Sequence, residues 1–145
     1  MIRFLGFAVF FLSLLTVRAG SADAVIRGKT ESGRTEIEIL VGDIDGLVRS
    51  VALTIDGESY RISEDEMTFQ SVVRDQANGV YFLVLNAGAK EFRLWMIPDS
   101  EKVLEKDENS YRSRFGAVLE ATDPRETDGS LTPRITIGCS LDYEI

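Results

Sequence analysis

The chain contains no histidine and one cysteine, Cys139. Without histidine, the commonest general base and the commonest metal ligand are both missing. With one thiol, a structural zinc site of the Cys/His type cannot be assembled within one chain. Ser/His and Cys/His nucleophile pairs fall for the same reason. No Gly-x-Ser-x-Gly elbow, Walker loop or Gly-x-Gly-x-x-Gly turn occurs either. Prolines number only three, and there is no proline-rich linker, low-complexity tract or internal repeat. Carboxylates are plentiful, but no spacing singles out a pair. The sequence therefore assigns no catalytic residue, no cofactor and no metal ligand.

What is present begins with "MIRFLGFAVFFLSLLTVRAGSADA". Arg3 supplies a positive start, and residues 4–17 are apolar, small or hydroxyl-bearing. Ala19, Gly20, Ser21, Ala22 and Ala24 follow, small residues of the kind signal peptidase accepts. This three-part pattern predicts a secretory signal over 1–24, cut after Ala22 or Ala24, and a single domain over 25–145. The apolar stretch is too short for a bilayer that needs about 20 residues, and Arg18 closes it. No cysteine follows to carry a lipid. The expectation is a soluble exported protein, periplasmic or extracellular, with no stable membrane insertion.

Net charge is −8. Cutting after Ala24 removes Arg3, Arg18 and Asp23 and takes it to −9. Such a chain repels nucleic acid and anionic lipid surfaces and attracts cationic partners.

After residue 24 the punctuation is that of a β protein. Apolar and polar residues alternate, and Gly, Asp and Asn interrupt them about every ten residues. "TEIEILV" (35–41) alternates Ile37 and Ile39 with Glu36 and Glu38. Residues 50–62 predict a hairpin with Val51, Leu53 and Ile55 on one face and Asp56-Gly57 as a type I′ turn, where both central residues need positive φ. A second hairpin is expected over 79–97, turning across 86–89. In 111–121, Phe115, Ala117, Leu119 and Ala121 share a face. Stretches 67–77 and 100–110 are ambiguous. About eight antiparallel strands are expected, closing into one β-barrel or a two-sheet β-sandwich.

The clearest alternation is the last one. In "RITIGCSLDYEI", Ile135, Ile137, Cys139, Leu141, Tyr143 and Ile145 occupy every second position, with small or polar residues between. Cys139 then sits on a buried face between Ile137 and Leu141, with none of the cationic surroundings that activate a thiol.

Hairpin 79–97 breaks the alternation. "VYFLVL" is apolar at every position, although an antiparallel strand with one wet face should alternate. On the partner strand Phe92, Leu94 and Met96 form the core set, which turns Arg93, Trp95 and Ile97 outward. On the first strand either Val80, Phe82 and Val84 or Tyr81, Leu83 and Leu85 point outward, since the register is open by one residue. With the second set, Tyr81, Leu83, Leu85, Arg93, Trp95 and Ile97 make the candidate binding patch, since Trp and Arg are enriched at binding hot spots. Acidic clusters at 42–46 and 63–66 read as turns. Asp43-x-Asp45-Gly46 begins like a calcium loop but lacks the later ligands. In "TDPRETDGS" (122–130), Pro124 and Asp128-Gly129 are turn residues, and Arg125 is available to an anion.

The expected function is a non-catalytic binding module for an unidentified protein or a small apolar ligand, or for a second copy of the chain in a homo-oligomer. A second reading is an inhibitor of a cationic enzyme such as a lysozyme. In size, export signal and acidity the chain is similar to the periplasmic lysozyme inhibitors, small β-barrels with a Ser-Gly-x-x-Tyr type loop. Here Ser32-Gly33 is followed by Arg34, Thr35 and Glu36, so the aromatic residue is missing. A third reading is a small carboxylate-based hydrolase.

Overall fold

The computed structural model describes residues 24–42, 45–75 and 80–144; the expected signal sequence, Asp43 and Ile145 lie outside them. Ten strands run β1 (Ala24–Lys29), β2 (Thr35–Val41), β3 (Val48–Ile55), β4 (Glu58–Ser63), β5 (Phe69–Asp75), β6 (Val80–Ala87), β7 (Lys90–Met96), β8 (Lys102–Lys106), β9 (Ser110–Ala121) and β10 (Ile135–Glu144). One 3-10 turn, Glu64–Glu66, links β4 to β5, and no α-helix occurs among the described residues. No helix among them is long and apolar enough to cross a membrane.

All strands join one antiparallel sheet in the order β4-β3-β2-β1-β10-β9-β7-β6-β5, curled into a half-barrel, while β8 pairs the front half of β9. The count exceeds the expected eight for identifiable reasons. β1 begins at the predicted signal cleavage site, and the ambiguous stretches 67–77 and 100–110 form β5 and β8.

The turns follow the sequence chemistry. Asp56 and Gly57 both take positive φ, 50° and 87°, and Ile55 faces Glu58 across the two-residue turn. β7 and β8 both run along β9, and Pro98 separates them. At the break the Ser100 hydroxyl stands in for a strand residue. It accepts from the Gly116 N–H at 3.1 Å and lies 3.2 Å from the Gly116 carbonyl.

The concave face holds the core. Burial alternates along nearly every strand, so that Ile37 and Ile39, Val51 and Leu53, Leu83 and Leu85, Phe92 and Leu94, and Ala117 and Leu119 all point inward. The two ends of the sheet approach each other through side chains. Gln70 on β5 accepts from the Val48 N–H at 2.8 Å and donates toward the Val48 carbonyl at 3.4 Å, which occupies backbone groups that β4 does not reach.

At the opposite end of β3 from that contact, loop 122–134 is tied back to the end of β9. Thr122 bridges Leu131, and the Thr132 N–H donates to the Ala121 carbonyl at 2.7 Å.

The closing strand behaves as its period of two demands. Ile137, Cys139 and Leu141 are buried, and Cys139 faces Gly28. A Cβ at Gly28 would lie 2.8 Å from the Cys139 Sγ and 3.0 Å from Ile37 Cγ1, so the thiol fills the space this glycine leaves. Gly28→Ala is accordingly expected to cost about 1–3 kcal/mol by overpacking. The cost should shrink in a Cys139→Ala background, where the closest atom is gone. Denaturant unfolding of the four proteins of this cycle measures it, and equal costs in both backgrounds contradict the packing.

Candidate functional site

The excess of apolar residues in β6 and β7 resolves into two faces. Register pairs Leu83 with Leu94 and Leu85 with Phe92, all four fully buried on the concave side. Tyr81 shares their parity and packs against the same core. Two members of the expected patch, Leu83 and Leu85, therefore belong to the interior, while the half-buried Tyr81 packs on the core and also lines the groove described below. The outward residues of β6 are Phe82 and Val84. The reason is the two-residue register of the β6–β7 turn, which places Phe82 opposite Trp95 and Val84 opposite Arg93. Arg93, Trp95 and Ile97 do lie on the outer face as expected.

On that face one row is apolar across four strands. Val73 of β5 faces Phe82, Phe82 faces Trp95, and Trp95 faces Val118 of β9. Aromatic and β-branched neighbours at cross-strand distance stabilise each other, so the row is preorganised. The next row is charged: Arg93 is ion-paired to Glu91 and to Glu120 at 3.1 Å, and Arg134 reaches Glu120 at 3.7 Å. Arg134 also lies 5.7 Å from the centre of the Trp95 ring, in cation–π range. Phe82, Val84, Arg93, Trp95 and Pro98 line an open groove of about 680 Å³, within the size range of ligand sites. The row ends at β5, whose one strand partner among the described residues is β6 and which carries the exposed Phe69 (53 %) and Val73 (47 %).

No family model, curated protein or solved structure matches this chain. The site must be read from its own geometry.

The remaining candidates have structural partners. Arg125, read as available to an anion, donates to both oxygens of the nearly buried Asp123 and to Asp56 at 2.6 Å. Asp56 also accepts from Arg34 at 2.6 Å. This chain of charges ties the β1–β2 turn, the β3–β4 turn and loop 122–134 together. Ser32-Gly33 lies within the first of these, a short turn closed by the Gly33 N–H on the Thr30 carbonyl at 2.9 Å.

Asp45 accepts from the Leu47 N–H at 2.9 Å and pairs with Arg49 at 2.8 Å, and the Leu47 bond chiefly holds its carboxyl below the usual range. Glu66 accepts from the Ser63 N–H at 2.9 Å, which likewise keeps its pKa low. Asp45 and the 63–66 cluster thus serve their turns, while Asp43 lies outside the described residues. Among the described residues no group of three or more Cys, Asp or Glu side chains is arranged to hold a metal.

Burial pushes the Cys139 thiol up to about 12 and the Tyr81 hydroxyl up to about 12. A thiol so shifted is neutral at physiological pH and a poor nucleophile.

Among the carboxylates held below their ordinary values, Asp123 is the buried one. Its hydrogen bonds from the Arg125 side chain hold its pKa below the ordinary 3.8. The folded value is depressed, so the stability it contributes is present in full above the unfolded value and lost as pH falls through the folded one. Asp123→Asn is expected to lower the melting temperature at neutral pH and to flatten its fall below about pH 4. Thermal melts from pH 2 to 7 measure this, and parallel curves for the two proteins contradict it.

Proposed function

We propose that this chain is an exported, non-catalytic binding protein whose contact surface is the outer face of β5, β6, β7 and β9 around Trp95. Its partner is a protein that lays an extended, alternately apolar segment along β5. The observation that carries this is the row Val73–Phe82–Trp95–Val118. Outward rows on β1 to β3 run Arg27–Glu38–Ala52 and Lys29–Glu36–Thr54, the composition expected of a wetted face. An apolar row at the unpaired end of a sheet is the form of a strand-addition site: main-chain bonds give affinity, and alternate side chains give specificity.

The three sheet margins differ in a way that favours β5. β4 carries Glu58 and Arg61, and β8 carries Lys102, Glu105 and Lys106. Charges on an exposed strand discourage pairing with other chains. β5 reads "FQSVVRD", with no charge before its last two residues. The overall charge of −8 selects for a basic partner and speeds its approach at low salt.

The non-catalytic part of the reading rests on chemistry already described. The chain has no histidine, its one thiol is buried with a raised pKa, and the carboxylates around Arg125 and Arg49 serve as turn and loop ties.

A photo-crosslinking amino acid at Val84, inside the groove, is expected to capture the partner in the native compartment. The same group at Thr54, on the far side of the sheet, captures none. Phe82→Ser with Trp95→Thr should abolish the Val84 product while costing no more than about 2 kcal/mol of stability, since both side chains are outside the core. Equal products from both positions, or a product that survives the double substitution, contradict the assignment.

A further inference from the structure

One outward row breaks a rule that its neighbour keeps. On the β8–β9 ladder Glu105 stands opposite Arg112, and Arg112 also pairs with Asp142 at 2.8 Å. Further along the same ladder Lys102 stands opposite Arg114. Like charges directly opposed across a sheet are destabilising. No carboxylate relieves this one: among the described residues neither side chain forms an ion pair or hydrogen bond, and neither does that of Lys29.

The ladder brings these three together. Arg114 faces Ser140, which faces Arg27, and the parallel row runs Gly116–Gly138–Lys29. Arg27 already engages Glu38 at 3.1 Å. The cations therefore surround Gly138, which presents no side chain, while Ile97 and Ser100 pack over the neighbouring Gly116. A Cβ at Gly138 would have one neighbour within 4 Å, the Lys29 carbonyl at 3.8 Å, so the space above it is open. Residues of both rows line a concavity of about 1000 Å³ on the outer face, together with Glu36, which stands opposite Lys29 at its margin, and Glu38, which is held by Arg27. Convergence of unpaired cations is the more notable because the chain holds 24 acidic residues against 16 basic ones.

The geometry points to a binding site for a small multivalent oxyanion, a molecule with two or more phosphate or carboxylate groups, held by Lys102, Arg114 and Lys29 above Gly138. The anion supplies the negative charge that the Lys102–Arg114 pair lacks. Guanidinium and ammonium donors suit phosphate and carboxylate oxygens alike. The row from Lys102 to Arg27 covers three interstrand spacings, about 14 Å, which fits a doubly charged metabolite-sized ligand. A long polyanion does not fit, because its remaining charge would meet an acidic surface. This site shares no residue with the Trp95 groove and stands or falls separately from it.

The test is an NMR titration of the folded protein with pyrophosphate and, separately, citrate, at constant ionic strength held with sodium chloride. Either probe should shift the amides of Lys29, Gly116 and Gly138. Lys102→Gln and Arg114→Gln should each weaken binding about tenfold, the scale of one charge-assisted contact. Lys106→Gln, on the same strand outside the concavity, should change nothing. A second readout is independent of affinity. In anion-free buffer Lys102→Gln melts no lower than the unmodified protein, because it removes a repulsion, while pyrophosphate raises the melting temperature of the unmodified protein far more than that of the variant. Response to one probe alone assigns the oxyanion class. Absence of amide shifts with both probes, or an affinity unchanged in both variants, overturns the proposal.

Discussion

A single sheet can bury one of its faces only by curling around it. That constraint organises this protein. The path from β4 to β5 is one unbroken ladder, and its concave side holds every large buried side chain. Among the described residues no second sheet or helix packs on the convex side. Each strand therefore needs an apolar residue at every second position for the core, and whatever stands between is read by solvent or by a partner. The side-chain bonds of Gln70 to Val48 and the charged tie of Asp56, Arg125 and Asp123 help hold the curl at its two ends. Both use polar groups where the sheet has run out of strands.

The convex side carries what the core does not need. Over β1 to β3 it is charged, as a wetted surface should be. Over β6, β7 and β9 it is apolar, and that row has no role in the core, which is complete without it. Near β8 it sets Lys102 opposite Arg114, and neither forms an ion pair among the described residues. Residues that serve neither packing nor solubility are where function is to be sought, because each departs from what folding alone would select. The two departures lie on different strands and have opposite chemistry, one apolar and one cationic.

Much of the fold was legible in the sequence. The Asp56-Gly57 turn, the inward set Phe115, Ala117, Leu119 and Ala121, and the alternation through Cys139 all follow from a period of two with correct turn residues. Hairpin 79–97 was legible as a hairpin but not as to face. With "VYFLVL" apolar throughout, only the turn register decides between Leu83 and Phe82, and one residue of slip exchanges every side chain between core and surface. The faces were therefore half visible: Arg93, Trp95 and Ile97 lie on the outer face as expected, Leu83 and Leu85 face the core, and Phe82 and Val84 take the outward places. The cation cluster was not legible at all. Lys29, Lys102 and Arg114 are far apart in the chain, and only the pairing of β8 with β9 and of β10 with β1 brings them together.

The central claim is that the convex face around Trp95 is open in the free protein and is the face that binds. Trp95 is the only tryptophan, so its fluorescence reports this position without ambiguity. Collisional quenching by acrylamide is the most direct measurement. In the folded, free protein the account predicts quenching at a substantial fraction of the rate seen after unfolding, with little change in Leu83→Ala below its melting point. A tryptophan shielded in the folded state, as a core residue would be, contradicts the account.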